Sequence, residues 1–237
     1  MLRIIDARTG EAVVAAPVRR GLTRVQAHAS GYGTGSLRVL LVADVLVRAL
    51  ELGGTPVWAL LTGAREQAEL RSGAAALGMH PFEDGQGLGA GVGEAQILHV
   101  VAEDGPEPDG VRIAVAGVEG TVPDDPAALR LALLSRPRTE PVRLDGATLG
   151  EAGETLVRWR RAVADWARRP SRPVPDEVRG PLRTAWEDDL DVPEVLTVLR
   201  WVEDAGPELP YGARFETFAY ADRLLGLDLT RDLGAPA

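Results

Sequence analysis

The chain has 237 residues, room for one large domain or two modest ones, and 45% of them are hydrophobic, so a packed core is affordable and wholesale disorder is not expected. The net charge of -9, from 35 acidic against 26 basic residues, argues against an indiscriminate grip on nucleic acid, although a local basic patch stays open. Every basic residue is arginine, and cysteine is absent too. That excludes a lysine Schiff base, an ammonium clamp on phosphate, a thiolate nucleophile, cysteine-held zinc and disulfides. Met1–Asp6 turns polar at once, unlike a signal peptide, and no apolar run reaches the roughly 20 residues that span a bilayer. The expectation is a soluble, cytoplasmic protein with no membrane partner.

Taken in chain order, Leu2–Ile5 and Ala12–Ala15 are apolar runs around Thr9-Gly10 and predict a strand pair. Thr23–Ala29 predicts a strand, followed by the glycine-rich turn Ser30-Gly31-Tyr32-Gly33-Thr34-Gly35-Ser36. Leu37–Leu52 predicts a helix stopped by Gly53-Gly54. Pro56–Thr62 is continuously apolar, as in a strand buried on both faces, and Arg65–Leu77 is a second helix ended by Gly78. Strand, helix, strand, helix is the start of a parallel doubly wound sheet.

Asp84–Gly93 holds five glycines and predicts a flexible loop. Gln96–Ala102 and Val111–Ala116 predict two more strands, separated by the turn-rich Glu103–Gly110. After Pro123-Asp124-Asp125-Pro126 the pattern becomes helical: Ala127–Leu134, Leu149–Ala167, Glu177–Leu190, Pro193–Asp204 and Ala213–Leu225. Arg168–Pro175, with three prolines, predicts a linker. The fold class is therefore α/β, a Rossmann-like parallel sheet followed by an all-helical domain, divided as 1–123 and 124–237. Trp159 and Trp166 share a helix face, and with Trp186 and Trp201 they predict a helical core rather than a ligand-stacking platform.

A strand, a glycine-rich turn and a helix together make a phosphate seat, because small residues let the backbone approach and the helix start offers free N–H groups. Gly31, Gly33, Gly35 and Ser36 fit, with Ser36 or Thr34 able to cap the helix. An ordinary tight turn fits as well. The spacing is not the dinucleotide fingerprint, and a Walker A loop needs a lysine.

The string Gly33-Thr34-Gly35-Ser36-Leu37-Arg38, running into Val42–Leu50 and Gly53, resembles cysteinyl-tRNA synthetases, where a HIGH signature precedes such a helix. Asp125–Ser135 resembles that family's segment after the KMSKS loop, and Leu149–Trp159 its following helix. Asp188-Asp189-Leu190-Asp191-Val192-Pro193 resembles its Asp-Asp-Leu-Asn-Thr-Pro turn, and Leu224–Asp228 closes the pattern. Mycothiol cysteine ligases, cousins of those synthetases, match equally well. The resemblance implies a shortened class I (HUP-type) catalytic core and a stem-contact helical region.

The departures from the family matter more. The HIGH histidines become Gly33 and Ser36, while the glycine between them survives as Gly35. The place of the KMSKS lysines, Ala116–Thr121, holds Glu119 and no cation. The family's zinc cysteines are missing, and His28, His80 and His99 are too scattered in sequence to replace them, so no metal is expected. Arg38, Arg65 and Arg112 are candidate stand-ins for lysine, without support from spacing. The resemblance therefore implies a binding module without full tRNA charging. Its nucleotide-binding residues would be Gly31, Gly33, Thr34, Gly35, Ser36 and Arg38, its cofactor ATP or AMP, and its ligand an adenine nucleotide or an adenylate. No catalytic residue is assignable. The alternative is an active ATP-dependent ligase that transfers an aminoacyl-adenylate to a small acceptor or tRNA. A tRNA or protein partner is a third expectation, through the helical half and the arginines at 158, 160, 161, 168, 169 and 172; the plainer reading of that cluster is a solvated face.

Overall fold

The structure, a computed structural model, describes residues 1–17, 22–63, 65–85 and 94–234. The chain opens with an antiparallel hairpin of β1 (Arg3–Ile5) and β2 (Ala12–Val14), turned at Gly10 in the left-handed region. Five parallel strands follow: β3 (Leu22–His28), β4 (Val57–Thr62), β5 (Glu83–Asp84), β6 (Glu94–Ala102) and β7 (Val111–Val115). Their order is β5-β4-β3-β6-β7, so the chain winds outward from β3 in one direction and then the other. The expected Rossmann-like sheet is present. The loop expected at 84–93 begins instead as β5, and residues 86–93 lie outside the described residues.

Two helices accompany this sheet: α1 (Thr34–Leu52) and α2 (Gln67–Ala76). Both begin close to the predicted positions, after a residue that lies outside the right-handed helical region. Gly33 is extended before α1, and Glu66 adopts a left-handed φ of 52° before α2. α1 is buried along most of its circumference, as its nearly unbroken Val/Leu/Ala sequence requires, and lies between the sheet and the helical half.

β6 and β7 are parallel although only Glu103–Gly110 separates them. So short a return without a helix is unusual for parallel strands. Glycine makes it feasible: a Cβ on Gly105 would meet the Ala102 carbonyl oxygen at 2.9 Å, and Gly110 has φ +120°.

The helical half holds α3 (Pro126–Leu134), α4 (Gly146–Trp166), α5 (Asp176–Glu187), α6 (Val192–Asp204) and α7 (Tyr211–Leu225). Aspartates start three of them. Asp125 accepts from Ala127 and Ala128 N–H, Asp145 from Thr148 N–H, and Asp191 from Glu194 N–H. Two short parallel strands missed in the sequence, β8 (Val118–Glu119) and β9 (Val142–Arg143), link the halves. Buried apolar residues from both sides of residue 123 form one continuous cluster. Trp159 and Trp166 both pack edge-on to Phe218, at 5.5 and 5.1 Å between ring centres, and Trp186 packs on Tyr220. Trp201 is the exception: it is 53% exposed on α6 and does not join that core. Among the described residues no helix is long and apolar enough to cross a membrane.

One buried carboxylate ties the halves together. Asp44 of α1 is fully buried and accepts four hydrogen bonds, from His80 N–H and Nδ1, Arg48 Nε and Arg130 Nη2, all at 2.8–2.9 Å. Arg130 of α3 also donates to the carbonyls of Leu77 and Leu225, the ends of α2 and α7. Burial by itself would raise the Asp44 carboxyl. The His80 hydrogen bonds and the Arg130 and Arg48 charges outweigh it and hold the group far below the usual carboxylate range.

Removing one partner of a buried pair leaves the other charge uncompensated, so Asp44→Ala is expected to cost about 3–5 kcal/mol in urea denaturation. A group with a depressed folded pKa stabilises above its unfolded value and loses that contribution as pH falls. The wild-type advantage should therefore be complete above about pH 4 and shrink below it. A loss under about 1 kcal/mol at neutral pH, or an advantage independent of acid, would contradict this account.

Candidate functional site

The carboxyl ends of β3, β4 and β6 open into a cleft of about 690 Å³. In doubly wound sheets this is where ligands sit, because adjacent connections leave in opposite directions there. β3 sends the chain to β4 on one side, and β6 flanks it on the other. Gly31, Gly33, Thr34, Gly35 and Ser36 line the cleft, joined by His28, Thr62 and Asp104. A Cβ built on Gly33 or Gly35 meets nothing within 4 Å, so both glycines face open space. No side chain caps α1 and no acidic residue stands in its first turn. The predicted capping by Thr34 or Ser36 is absent, because the Thr34 hydroxyl instead donates to the Gly120 carbonyl at 3.1 Å. The helix start thus keeps its uncapped N–H groups and partial positive charge at the cleft.

Arg38 is not at the cleft. Its guanidinium is 1% exposed and donates to the carbonyls of Ala116, Gly117, Glu140 and Pro137 at 2.6–3.3 Å. One helical turn beyond Thr34, it points back into the body of the protein. Burial lowers its pKa to about 10, with the Glu140 charge opposing, so it remains a cation at neutral pH. With Thr34 it fastens the Ala116–Thr121 segment to α1. The two stretches that resemble the synthetase signatures, far apart in sequence, therefore meet. Arg112 is likewise buried and spends its Nη2 on the carbonyls of Ala102 and Glu103, while Arg65 is exposed and does not line the cleft. Among the described residues the cleft is lined by one carboxylate, Asp104, and by no arginine.

Glu66 adds a second carboxylate beside the turn, which sequence reasoning missed. Its Oε2 accepts from Tyr32 N–H at 3.0 Å and stands 3.3 Å from where a Gly31 Cβ would be. The carboxylate occupies an N–H group that an anionic ligand could otherwise use. Its left-handed backbone is what turns it toward the glycines, and nothing in the local sequence signals that.

Two of the three histidines are neighbours. His28 Nε2 lies 3.0 Å from His99 Nδ1, with rings at 47°. Sheet register explains it: His99 stands opposite Gln26 on β3 and Arg112 on β7, so Gln26, His99 and Arg112 form a polar row across one sheet face, with His28 two residues beyond Gln26. His99 also bonds the Asp109 backbone. One ring of the His28–His99 pair donates to the other, in a direction set by the tautomers. Desolvation first, then the neighbouring His28, pushes His99 down to about 4; desolvation lowers His28 as well. Both imidazoles are neutral at neutral pH. His80 stands apart, on Asp44. Among the described residues no cluster of three or more histidines or carboxylates could hold a metal.

The expected basic cluster is partly consumed within the chain. Arg158 pairs with Glu203, Arg160 donates to the carbonyls of Leu227 and Asp228, and Arg168 lies 3.9 Å from Asp165.

The unfolded chain protonates His99 near pH 6.5 and the folded chain near 4, so between those values the unfolded state binds more protons. Stability should fall as pH is lowered through that window. His99→Gln should flatten this part of the denaturation profile; an unchanged slope would remove His99 as its origin.

No family model matches this chain. Among curated proteins it is similar to the L-cysteine:1D-myo-inositol 2-amino-2-deoxy-alpha-D-glucopyranoside ligase of Streptomyces griseus, 40% identical over 108 residues, which is 44% of this chain and 25% of that protein. The ligase of the same name from Mycolicibacterium smegmatis is 36% identical over 111 residues, 44% of this chain and 25% of the relative. That from Parafrankia is 44% identical over 75 residues, 32% and 16% respectively. The match spans about a quarter of the length of the first of these relatives. A Rossmann-like parallel sheet with helices after it is thus joined to a sequence that, over less than half its length, is similar to cysteine ligases.

Proposed function

We propose that this chain is a synthetase-like binding module whose cleft takes an adenine nucleotide or an adenylate through the Gly31–Ser36 turn, and which does not charge tRNA. The observation that carries the reading is the position of that turn: an uncapped helix start over the carboxyl ends of β3, β4 and β6, at the point where the sheet's winding reverses. The cleft's charge supports the second half. Asp104 lines it, Glu66 holds an N–H beside it, and the nearest signature arginine, Arg38, is spent on carbonyls. A triphosphate needs cations at its developing charge, whereas one phosphate at a helix start needs few. In this reading residues 1–123 form the nucleotide-binding core and 124–237 the helical domain, which is also where a tRNA or protein partner would dock.

Calorimetry with AMP, ATP and a non-hydrolysable cysteinyl-adenylate mimic tests it. AMP and the mimic should bind more tightly than ATP. Gly35→Leu projects into open space, so it should keep the fold by near-ultraviolet circular dichroism yet weaken AMP by about tenfold or more. Glu66→Gln removes a competing charge and should strengthen AMP. Absence of binding by all three ligands would remove the nucleotide reading.

The relatives are named as ligases of L-cysteine, which favours a second reading: an active ligase, here ATP-dependent, that passes an aminoacyl-adenylate to a small acceptor or tRNA. His28, neutral at the cleft wall, and the Asp104 carboxylate are then the side chains available to take a proton. ATP–pyrophosphate exchange with any amino acid would establish this reading over the first.

A further inference from the structure

A second cavity, of about 480 Å³, lies in the helical half, away from the cleft. Three arginines from separate elements converge on it: Arg136 after α3, Arg143 on β9 and Arg200 on α6. The hydroxyl-bearing residues Ser135, Thr148 and Thr155 share its wall, as does the first turn of α4.

What sets these arginines apart is that three unengaged guanidinium groups share one concavity. In this acidic chain other arginines are committed: Arg48, Arg130, Arg138, Arg158 and Arg183 to carboxylates, and Arg38 and Arg214 to carbonyls. Among the described residues Arg136, Arg143 and Arg200 make no side-chain ion pair or hydrogen bond; the Arg143 charge does act on the nearby Asp145 carboxyl. Two carboxylates also line the cavity. Asp145 caps α4, accepting from Thr148 N–H, and Glu151 is the acid of the wall without such a role.

Three guanidinium groups with no hydrogen bond or ion pair of their own, around one concavity, match the chemistry of phosphate. Planar N–H forks suit phosphate oxygens. We propose that this cavity is a phosphate-binding site, with Arg136, Arg143 and Arg200 as its ligands. It is independent of the nucleotide cleft. The phosphate comes either from a small phosphorylated molecule or from a nucleic-acid backbone.

Calorimetry of the whole chain with pyrophosphate, and separately with a short RNA hairpin, tests the site. Wild type should bind pyrophosphate at this site. Arg136→Gln, Arg143→Gln and Arg200→Gln should each weaken it by about tenfold. Glu151→Gln should tighten it, and Arg231→Gln, an exposed arginine elsewhere, should leave it unchanged. All three guanidinium groups are solvent-exposed, so near-ultraviolet circular dichroism should not move. RNA that displaces pyrophosphate in an arginine-dependent way identifies a nucleic-acid source; pyrophosphate binding without RNA binding identifies a small ligand. Wild type that binds neither probe overturns the proposal. So does a loss in Arg231→Gln equal to that in the three, which would mean diffuse charge. A loss of pyrophosphate in Gly35→Leu also overturns it, because the anion would then sit at the cleft.

Discussion

Asp44 sits where no charge would stay without help. Moving a carboxylate from water into a protein interior costs several kcal/mol, and only full hydrogen bonding with opposite charge offsets it. Here His80, Arg48 and Arg130 provide both. The consequence is geometric. α1 cannot rotate or slide without breaking those bonds, and Arg130 carries the constraint on to the ends of α2 and α7. The start of α1 forms the wall of the cleft, so the position of the candidate site is set by a buried network at the helix's other half. Thr34 and Arg38 complete the fastening, from the cleft end, to Gly120 and to Ala116 and Gly117.

The chain meets its interior polar needs with arginine. Arg38, Arg112, Arg130, Arg138 and Arg214 are all buried, and each donates to backbone carbonyls. A guanidinium has several donors in a fixed fork and stays charged, so one side chain can bind carbonyls from distant segments at once. These clasps take the cations inside. The cleft is left with the Asp104 carboxylate and no arginine, and exposed arginines collect around a different cavity.

Much of the fold was legible in the sequence, because periodicity and punctuation speak directly about local structure. The apolar runs at β3 and β4, the glycine stop after α1 and the Asp-Pro start of α3 all signalled their elements. What was not legible depends on partners far along the chain. Arg38 reads as a phosphate cation beside a glycine turn, yet its acceptors lie 78–102 residues away. His28 and His99 look scattered until the parallel register of β3 and β6 brings them to 3.0 Å. Trp201 follows the helical spacing of a core residue, but α6 turns it outward. The return from β6 to β7 runs parallel because two glycines permit a path that length alone argues against.

The Asp188–Asp191 turn carries a last consequence. Asp189 and Leu190 both adopt left-handed backbone, which aims Asp189 at the first strand. Its N–H donates to the Arg3 carbonyl, and its carboxylate takes the Ile5 N–H and two bonds from Arg138. The outer edge of β1 is therefore covered by a segment 184 residues later. During synthesis that edge waits bare until most of the chain has left the ribosome, and a bare strand edge is a template for pairing with the wrong chain. The first strand is short, three residues, begins with the charged Arg3 and is followed by Asp6, which keeps the hazard of that delay small.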